Sequence, residues 1–177
     1  AYEAKGLLKT AIRDDNPVVI FEDKLMYQDK APVPEEEYLL PFGEAAVLRE
    51  GRDITLVATS SMVQVARKAA DILDGDGISA EVIDPRTIVP LDDATIFASV
   101  RRTSRAMVID EGHRSFGVTA EIAARIGEAC FYHLDAPVLR MGAMDVPVPF
   151  SPALEDLTVP TPEKVAARAR DAVRGRL

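Results

Sequence analysis

The chain has 177 residues, of which 47% are hydrophobic and 28% charged, so it can form one domain of ordinary size with an extra segment at one end. Its formal net charge of −8 disfavours binding to nucleic acid or to an anionic membrane surface. No apolar run approaches the ~18 residues needed to cross a bilayer, and no signal peptide is visible. We therefore expect a location in the cytoplasm or in an organelle matrix. The single cysteine, Cys130, excludes an internal disulfide and is predicted to be a buried apolar side chain of a helix.

The first 42 residues lack the regular order of strands and helices that the rest of the sequence shows. Residues 1–15 have the apolar spacing of a short helix. The continuous apolar run at 18–21 predicts a strand that is buried on both faces. Residues 28–42 begin polar and proline-bearing, without periodicity, which indicates a linker. Because a helix and a strand cannot close a core by themselves, residues 1–27 are interpreted as the tail of a preceding domain.

From residue 43 onward, strands and helices alternate along the chain. The predicted strands are 45–48, 54–58, 80–84, 106–109 and 137–141, and the predicted helices are 62–73, 92–102, 117–131 and 162–174. Such alternation implies right-handed crossovers and a largely parallel sheet that is covered on both faces. The predicted fold class is therefore α/β, a three-layer α/β/α sandwich with a mostly parallel sheet of five strands.

Polar residues follow several of these strands, at the edge where open parallel sheets bind ligands. Thr59-Ser60-Ser61 is interpreted as a helix cap in preference to an anion site. The loop predicted at 110–117 combines acid, imidazole, guanidinium and hydroxyl groups, and it is the best candidate for chemistry. Within it, Glu111 and His113 are weak catalytic candidates that could transfer protons if burial shifted their pKa values. The alternative is a loop that caps a helix and faces a neighbouring subunit.

No metal site and no cofactor-binding residue is predicted. His133 lies too far along the chain from His113 for a metal-binding pair one helical turn apart, and the glycine motifs of dinucleotide and phosphate-binding loops are absent from the sequence. Segment 144–150 carries Pro147 and Pro149 and is predicted to be extended and rigid. It is expected either to line an interface or to fold down onto the domain.

Several segments are familiar in combination, and together they cover essentially the whole chain. They are Ala4–Lys9 with Ile12–Val18, Val33–Tyr38 with Pro41–Gly43, Asp53–Val57, Glu81–Asp92, Asp110–His113, Gly117 with Glu121–Ala123, Leu134–Pro137 and Asp145–Ser151. In this order they resemble β subunits of thiamine-diphosphate-dependent 2-oxo acid dehydrogenases of the pyruvate or acetoin dehydrogenase type. The piece present resembles the C-terminal, transketolase-like domain, in which the first strand is antiparallel to the others.

This resemblance implies domain boundaries and the place of the cofactor. It assigns residues 1–27 to the tail of a pyrimidine-binding domain, 28–42 to the interdomain linker and 43–177 to the transketolase C-terminal-like domain. In the intact enzyme, thiamine diphosphate with magnesium lies between the pyrimidine-binding domain and the α subunit. The resemblance therefore implies no cofactor-binding or catalytic residue in this chain, which is expected to be inactive alone.

The resemblance also implies partners, namely an α subunit, a second β subunit and the subunit-binding domain of a dihydrolipoyl acyltransferase. Asp135 falls where such β subunits present an acidic group to the basic subunit-binding domain, so it is the candidate docking residue. The intact enzyme would be an oxidoreductase that decarboxylates a 2-oxo acid and acylates lipoyl groups. Pyruvate is the first expectation and acetoin the alternative. The alternative from a different functional class is a free-standing flavodoxin-like binding module, which would bind a nucleotide or flavin tightly.

Overall fold

The computed structural model describes residues 1–176, and its centre is a five-stranded sheet with the order β1-β3-β2-β4-β5. The strands are β1 Ala46–Arg49, β2 Ile54–Ala58, β3 Ala80–Asp84, β4 Ala106–His113 and β5 Leu139–Ala143. The helices are α1 Tyr2–Arg13, α2 Met62–Gly75, α3 Asp93–Thr103, α4 Val118–Cys130, α5 Pro152–Thr158 and α6 Pro162–Val173, with short 3-10 turns at Lys24–Gln28 and Phe131–His133.

The sheet is mixed but mostly parallel. Strand β2 pairs in parallel with β3 and β4, and β4 pairs in parallel with β5. Only β1, which pairs with β3, is antiparallel. All five residues of β2 are buried, as expected for a central strand rich in β-branched side chains. The one buried hydroxyl in β2, on Thr55, is hydrogen-bonded to Ser99 Oγ at 2.6 Å and to Thr103 Oγ1 at 2.7 Å.

Helices cover both faces of the sheet and divide the core in two. One cluster joins Ile54 and Leu56 of β2 to the buried residues of α2 and α6. The other joins Val57 of β2 and Ile83 of β3 to α3 and α4, and it contains Cys130, whose predicted burial is confirmed. Alternate residues of one strand thus enter opposite layers. The predicted three-layer α/β/α fold is therefore confirmed, including the antiparallel first strand.

Helix α2 ends at Gly75, in the glycine-containing segment that predicted its end. Gly77 has a φ of +76°, and its amide donates to Asp74 O at 2.9 Å. The amide of Ile78 donates to Leu73 O at 3.0 Å, which completes a Schellman motif, and both side chains belong to the same core cluster. At 14 residues α2 is the longest helix among those described, and none of them is long and apolar enough to cross a membrane.

The prediction of a buried strand at 18–21 is wrong for the described residues. The segment belongs to no strand, and the exposed fractions of Val19 and Phe21 are 76% and 91%. All five strands of the sheet come from residues after 45, so the apolar run has no partner strand within residues 1–176. A continuous apolar run is a signal for burial, but burial needs a neighbouring layer that this part of the chain does not supply.

Helix α1 is held against the segment that leads into the sheet. The rings of Tyr2 and Tyr38 stack with their centroids 4.5 Å apart. Thr10 Oγ1 donates to Leu40 O at 2.7 Å, and Leu40 is buried. Gly6 lets the two backbones approach, since a Cβ there would lie 2.6 Å from Leu40 Cγ. The second half of the predicted linker is thus fixed to α1, whereas residues 29–33 are exposed and outside any helix or strand.

Candidate functional site

The carboxyl ends of β2, β4 and β5 come together at one edge of the sheet. Strand β4 continues to His113, so Asp110 and Glu111 are strand residues, and the loop predicted from 110 onward is wrong in its first four positions. The pairing extends because the Arg114 amide donates to Ala143 O at 3.0 Å. Close approach requires a glycine at 142, where a Cβ would lie 2.8 Å from Gly112 O.

The hydroxyls after β2 bind carboxylates of β4 instead of capping α2. Ser61 is the N-cap residue of α2, yet its side chain makes no capping hydrogen bond. Its Oγ donates to the Glu111 carboxylate, and Thr59 Oγ1 donates to the Asp110 carboxylate. Ser61 thus occupies the predicted N-cap position, but the interpretation of these hydroxyls as side-chain caps is wrong for Thr59 and Ser61. The acidic residues of β4 compete successfully for the hydroxyls because parallel pairing of β2 with β4 brings the ends of both strands side by side.

A second set of contacts joins the end of β4 to the segment after β5. Ser115 Oγ donates to Asp145 Oδ2 at 2.6 Å, and the Ser115 amide donates to Asp145 Oδ1 at 3.3 Å. These hydrogen bonds lower the pKa of Asp145, and the positive charges of His113 and Arg114 lower it further. His113 Nε2 lies 3.2 Å from Val146 O, so the ring is bound to the main chain.

These hydrogen bonds hold the strand ends and loops together, and they do not form a catalytic arrangement of side chains. The hydroxyls of Ser61 and Ser115 are both bonded to carboxylates, and His113 is bonded to a carbonyl oxygen, so no nucleophile–imidazole pair is formed. Glu111 and His113 are exposed, whereas their use in proton transfer was conditional on burial. Their catalytic role stays a prediction that this geometry does not favour.

Nothing in residues 1–176 offers a set of metal ligands, since no three His, Cys, Asp or Glu side chains come together there. The magnesium ion that accompanies thiamine diphosphate needs oxygen ligands that converge on one point. The described residues therefore do not fit this cofactor, and no step of its chemistry is assigned to them.

Asp135 lies at the other end of the sheet, in the turn that enters β5. Its amide donates to Ser104 O at 2.9 Å, and its Oδ2 is 3.2 Å from Arg105 Nη2. The Asp135 side chain remains 59% exposed. Next to it, the rings of Phe131 and Tyr132 meet edge to face at 5.2 Å and are 67% and 94% exposed. The structure thus separates Asp135 from Glu111 and His113, and it adds an exposed aromatic pair whose only sequence signal is two adjacent aromatics after a helix.

A partly buried charged cluster at the end of β3 was not predicted. Asp84 Oδ1 accepts from the Arg86 amide at 2.8 Å, and Arg86 Nη2 contacts Glu3 Oε1 of α1 at 3.3 Å. Burial raises the pKa of Asp84, and the negative charge of Glu3 raises it further, against the Arg86 amide and guanidinium. Arg86 has a φ of +59°, which is unusual for a residue with a long side chain. The cluster joins α1 to the sheet.

The fold belongs to a known family. Residues 43–165 match the family described as "Transketolase, C-terminal domain", and the chain belongs to that family. Among solved structures, "Split gene transketolase, inactive beta4 tetramer" is similar with a TM-score of 0.65 and 28% identity, covering 80% of this chain and 45% of that one. A transketolase mutant from Pichia stipitis gives a TM-score of 0.53 at 21% identity, covering 80% and 21%, which supports the fold alone.

Curated relatives extend the match to nearly the whole chain and confirm its resemblance to β subunits. The chain is 48% identical over 176 residues to "Pyruvate dehydrogenase E1 component subunit beta-1, mitochondrial" of Arabidopsis thaliana, covering 97% of the chain and 48% of the relative. It is 47% identical over 166 residues to "Acetoin:2,6-dichlorophenolindophenol oxidoreductase subunit beta" of Bacillus subtilis, covering 94% and 48%. The chain thus spans about half the length of these relatives.

Proposed function

We propose that the chain is the C-terminal assembly and docking domain of the β subunit of a thiamine-diphosphate-dependent 2-oxo acid dehydrogenase. The observation that carries the proposal is the 47–48% identity to β subunits over 94–97% of the chain. The intact α–β enzyme would decarboxylate a 2-oxo acid and acylate lipoyl groups, in the cytoplasm or an organelle matrix. Its proposed partners are the α subunit, a second β subunit and the acyltransferase.

The cofactor would be held outside this chain. The described residues supply no metal-ligand cluster, and their hydroxyl and carboxylate groups are engaged with one another at the strand ends. Residues 1–27 would belong to the pyrimidine-binding domain, with the apolar run at 18–21 as one of its strands. The large exposed side chains of Val19 and Phe21 support that assignment, because isolated strand-forming apolar runs need a partner sheet.

Docking of the acyltransferase would use Asp135. The carboxylate is exposed, and its turn is held by the hydrogen bond from its own amide and by Pro137 two residues later. Arg105 beside it leaves part of the carboxylate free for an arginine of a basic partner, which would form a charge-assisted pair. The formal net charge of −8 agrees with a basic partner.

Pyruvate is the proposed substrate, and acetoin is a second candidate because a relative named for acetoin oxidoreduction matches almost equally well, at 47% against 48% identity. Reconstitution of the full-length β subunit with its α subunit tests the function. We expect thiamine-diphosphate-dependent turnover with pyruvate that exceeds turnover with acetoin or with a branched-chain 2-oxo acid. A preference for acetoin would select the second candidate, and no turnover with any of them would contradict the proposal.

The isolated chain is the matched control for that assay. We expect it neither to bind thiamine diphosphate in titration calorimetry nor to decarboxylate pyruvate, because the ligands of the cofactor's metal would come from outside residues 1–176. Micromolar affinity of the isolated chain for the cofactor would overturn the assignment. The same titration with a flavin and with a nucleotide checks the flavodoxin-like alternative, for which tight binding is the expected result.

A further inference from the structure

Helix α1 is too short to persist by itself, so it depends on its neighbours. It has 12 residues, and isolated helices shorter than about 12–15 residues are marginal in water. Gly6 is the one buried residue of α1, while Leu8 and Ile12 are 49% and 73% exposed. Burial of a wide apolar face therefore does not account for its stability, and a few specific contacts must hold it in place.

The first of these contacts surround the side chain of Tyr38. Its ring stacks on that of Tyr2, and its hydroxyl donates to Tyr2 O at 2.9 Å. Lys5 Nζ lies 4.8 Å from the centroid of the Tyr38 ring, within reach of a cation–π interaction. The same ammonium group donates to the main-chain carbonyls of residues 34–36, reaching that of Glu36 at 2.9 Å. The positive charge of Lys5 is thus bound by the segment that leads into the sheet.

The second half of α1 is bound to the same segment. Thr10 Oγ1 donates to Leu40 O at 2.7 Å, and the Leu40 amide donates to Gly6 O at 3.4 Å. Only a glycine fits this approach without a shift of Leu40, because a Cβ at position 6 would lie 2.6 Å from Leu40 Cγ. Arg13, the last residue of α1, forms an ion pair with Glu37. We call the contacts of α1 with residues 34–40 the α1 clasp.

The α1 clasp is in turn fixed to the loop that follows β3. Just after the clasp, the Gly43 amide donates to Thr87 Oγ1 at 2.9 Å. Helix α1 also reaches this loop directly, since Glu3 Oε1 lies 3.3 Å from Arg86 Nη2. The Arg86 side chain is only 15% exposed, so this ion pair is better shielded from solvent than a surface pair. Two independent sets of contacts therefore connect α1 to the α/β domain.

We propose that the α1 clasp fixes α1 to the domain of residues 43–177, so that the exposed connection of the chain is residues 14–33. The sequence pattern indicates residues 28–42 for this connection. None of residues 14–33 is buried, whereas the residues on both sides of them are held in the clasp. Because both ends of the connection are bound to one domain, it can be cut without releasing α1. The clasp is independent of the proposed function, since it is built only from contacts within the chain.

The test uses the 177-residue chain with a specific protease site inserted between Lys30 and Ala31, which are both exposed. After cleavage, gel filtration and native mass spectrometry measure whether the piece that carries α1 stays with the rest of the chain. We expect it to stay bound, and the amides in the second half of α1 to keep their protection from hydrogen exchange. Release of this piece from the cut wild-type chain would overturn the proposal.

Gly6→Ala separates the clasp from helix propensity. Alanine favours a helix more than glycine does, so the change would stabilise α1 if the helix depended on propensity alone. In the clasp the new Cβ meets Leu40, so we expect protection of the α1 amides to fall by about tenfold or more and the cut piece to be released. Gly127→Ala is the matched control, because a Cβ at this helical glycine of α4 meets nothing within 4 Å, and it should leave both readouts unchanged. Stronger protection of α1 in Gly6→Ala, with the piece retained, would contradict the clasp.

Lys5→Met tests the clasp without a steric clash. Methionine keeps an unbranched apolar side chain but removes the ammonium that binds the carbonyls of residues 34–36, so protection of the α1 amides should fall. Lys9→Met is the same change elsewhere on α1, and it should have little effect. The amides of Ile54–Val57 in β2 report whether the domain remains folded in each variant. An equal effect of the two lysine substitutions on α1, with β2 protected in both, would contradict the clasp.

Discussion

At the scale of single residues, two carboxylates near the strand ends have pKa values shifted in opposite directions. Burial and the charge of Glu3 raise the pKa of Asp84, so folding favours its protonated form. Hydrogen bonds from Ser115 lower the pKa of Asp145, so folding favours its ionised form. The stability linked to Asp84 is therefore lost as the pH rises through its folded pKa, whereas that linked to Asp145 is lost as the pH falls through its folded pKa.

Replacing each carboxylate by an amide tests these shifts. Asp84→Asn keeps the oxygen that accepts from the Arg86 amide but removes the partly buried charge, so we expect it to raise the free energy of unfolding at pH 7. Asp145→Asn, the control at an exposed site, should lower it at pH 7. Both differences should shrink toward pH 3 in urea unfolding experiments. A destabilised Asp84→Asn at pH 7 would show that its contact with Arg86 outweighs the cost of burying the charge.

At the scale of elements, local patterns predicted the structure wherever both partners of a pattern lie within the domain. The alternation of strands and helices along the chain predicted β2 at its observed position. The glycine at 77 predicted the end of α2. Helix α5 was missed, although Ser151 followed by Pro152 is a recognisable start, because at seven residues it has too few turns for a periodic signal. The run at 18–21 shows the reverse case, since a strong local signal meets no partner in the described chain.

Part of the candidate site was predictable for the same reason. Parallel topology places the carboxyl ends of β2 and β4 at one edge, so the proximity of Ser61 to Glu111 follows from strand order alone. The hydrogen-bond partner of the Ser61 hydroxyl could not be predicted. The backbone amides at the start of α2 and the Glu111 carboxylate are both possible partners for the same hydroxyl. The contact of Asp135 with Arg105 joins two turns at the amino ends of β4 and β5. A local sequence pattern cannot predict it, because the two residues are far apart in the chain.

The segment between α1 and the sheet gives a prediction at this scale. Residues 29–33 are exposed and lie outside any helix or strand, whereas Tyr38 and Leu40 are held against α1. In the isolated chain, the amides of Lys30, Ala31 and Val33 should exchange with solvent orders of magnitude faster than those of Ile54–Val57, which lie in the central strand. Hydrogen exchange with mass spectrometry measures this. Equal protection of the two segments would contradict the assignment of a linker.

At the scale of the whole molecule, the mostly parallel sheet separates two surfaces, one at each end of its parallel strands. The carboxyl end presents exposed apolar side chains, among them Phe116 and Phe150, and the amino end presents Asp135 near the aromatic pair Phe131 and Tyr132. The two ends of the sheet therefore carry exposed side chains of different chemistry.

Binding of the acyltransferase's subunit-binding domain to Asp135 variants tests docking most directly. The exposed pair of Asp135 with Arg105 contributes little to folding stability, so Asp135→Ala should remain folded. Truncating one member of a desolvated interfacial ion pair costs on the order of 2–5 kcal/mol, and tenfold in affinity corresponds to about 1.4 kcal/mol. The matched control is Glu50→Ala, an exposed carboxylate on the turn before β2.

The measurement is surface plasmon resonance of the full-length α–β assembly on the immobilised subunit-binding domain. We predict that Asp135→Ala raises the dissociation constant at least tenfold, that Glu50→Ala leaves it within twofold, and that the partial decarboxylation rate of Asp135→Ala equals that of wild type. An unchanged dissociation constant for Asp135→Ala would remove Asp135 from the interface and contradict the docking role proposed for this domain.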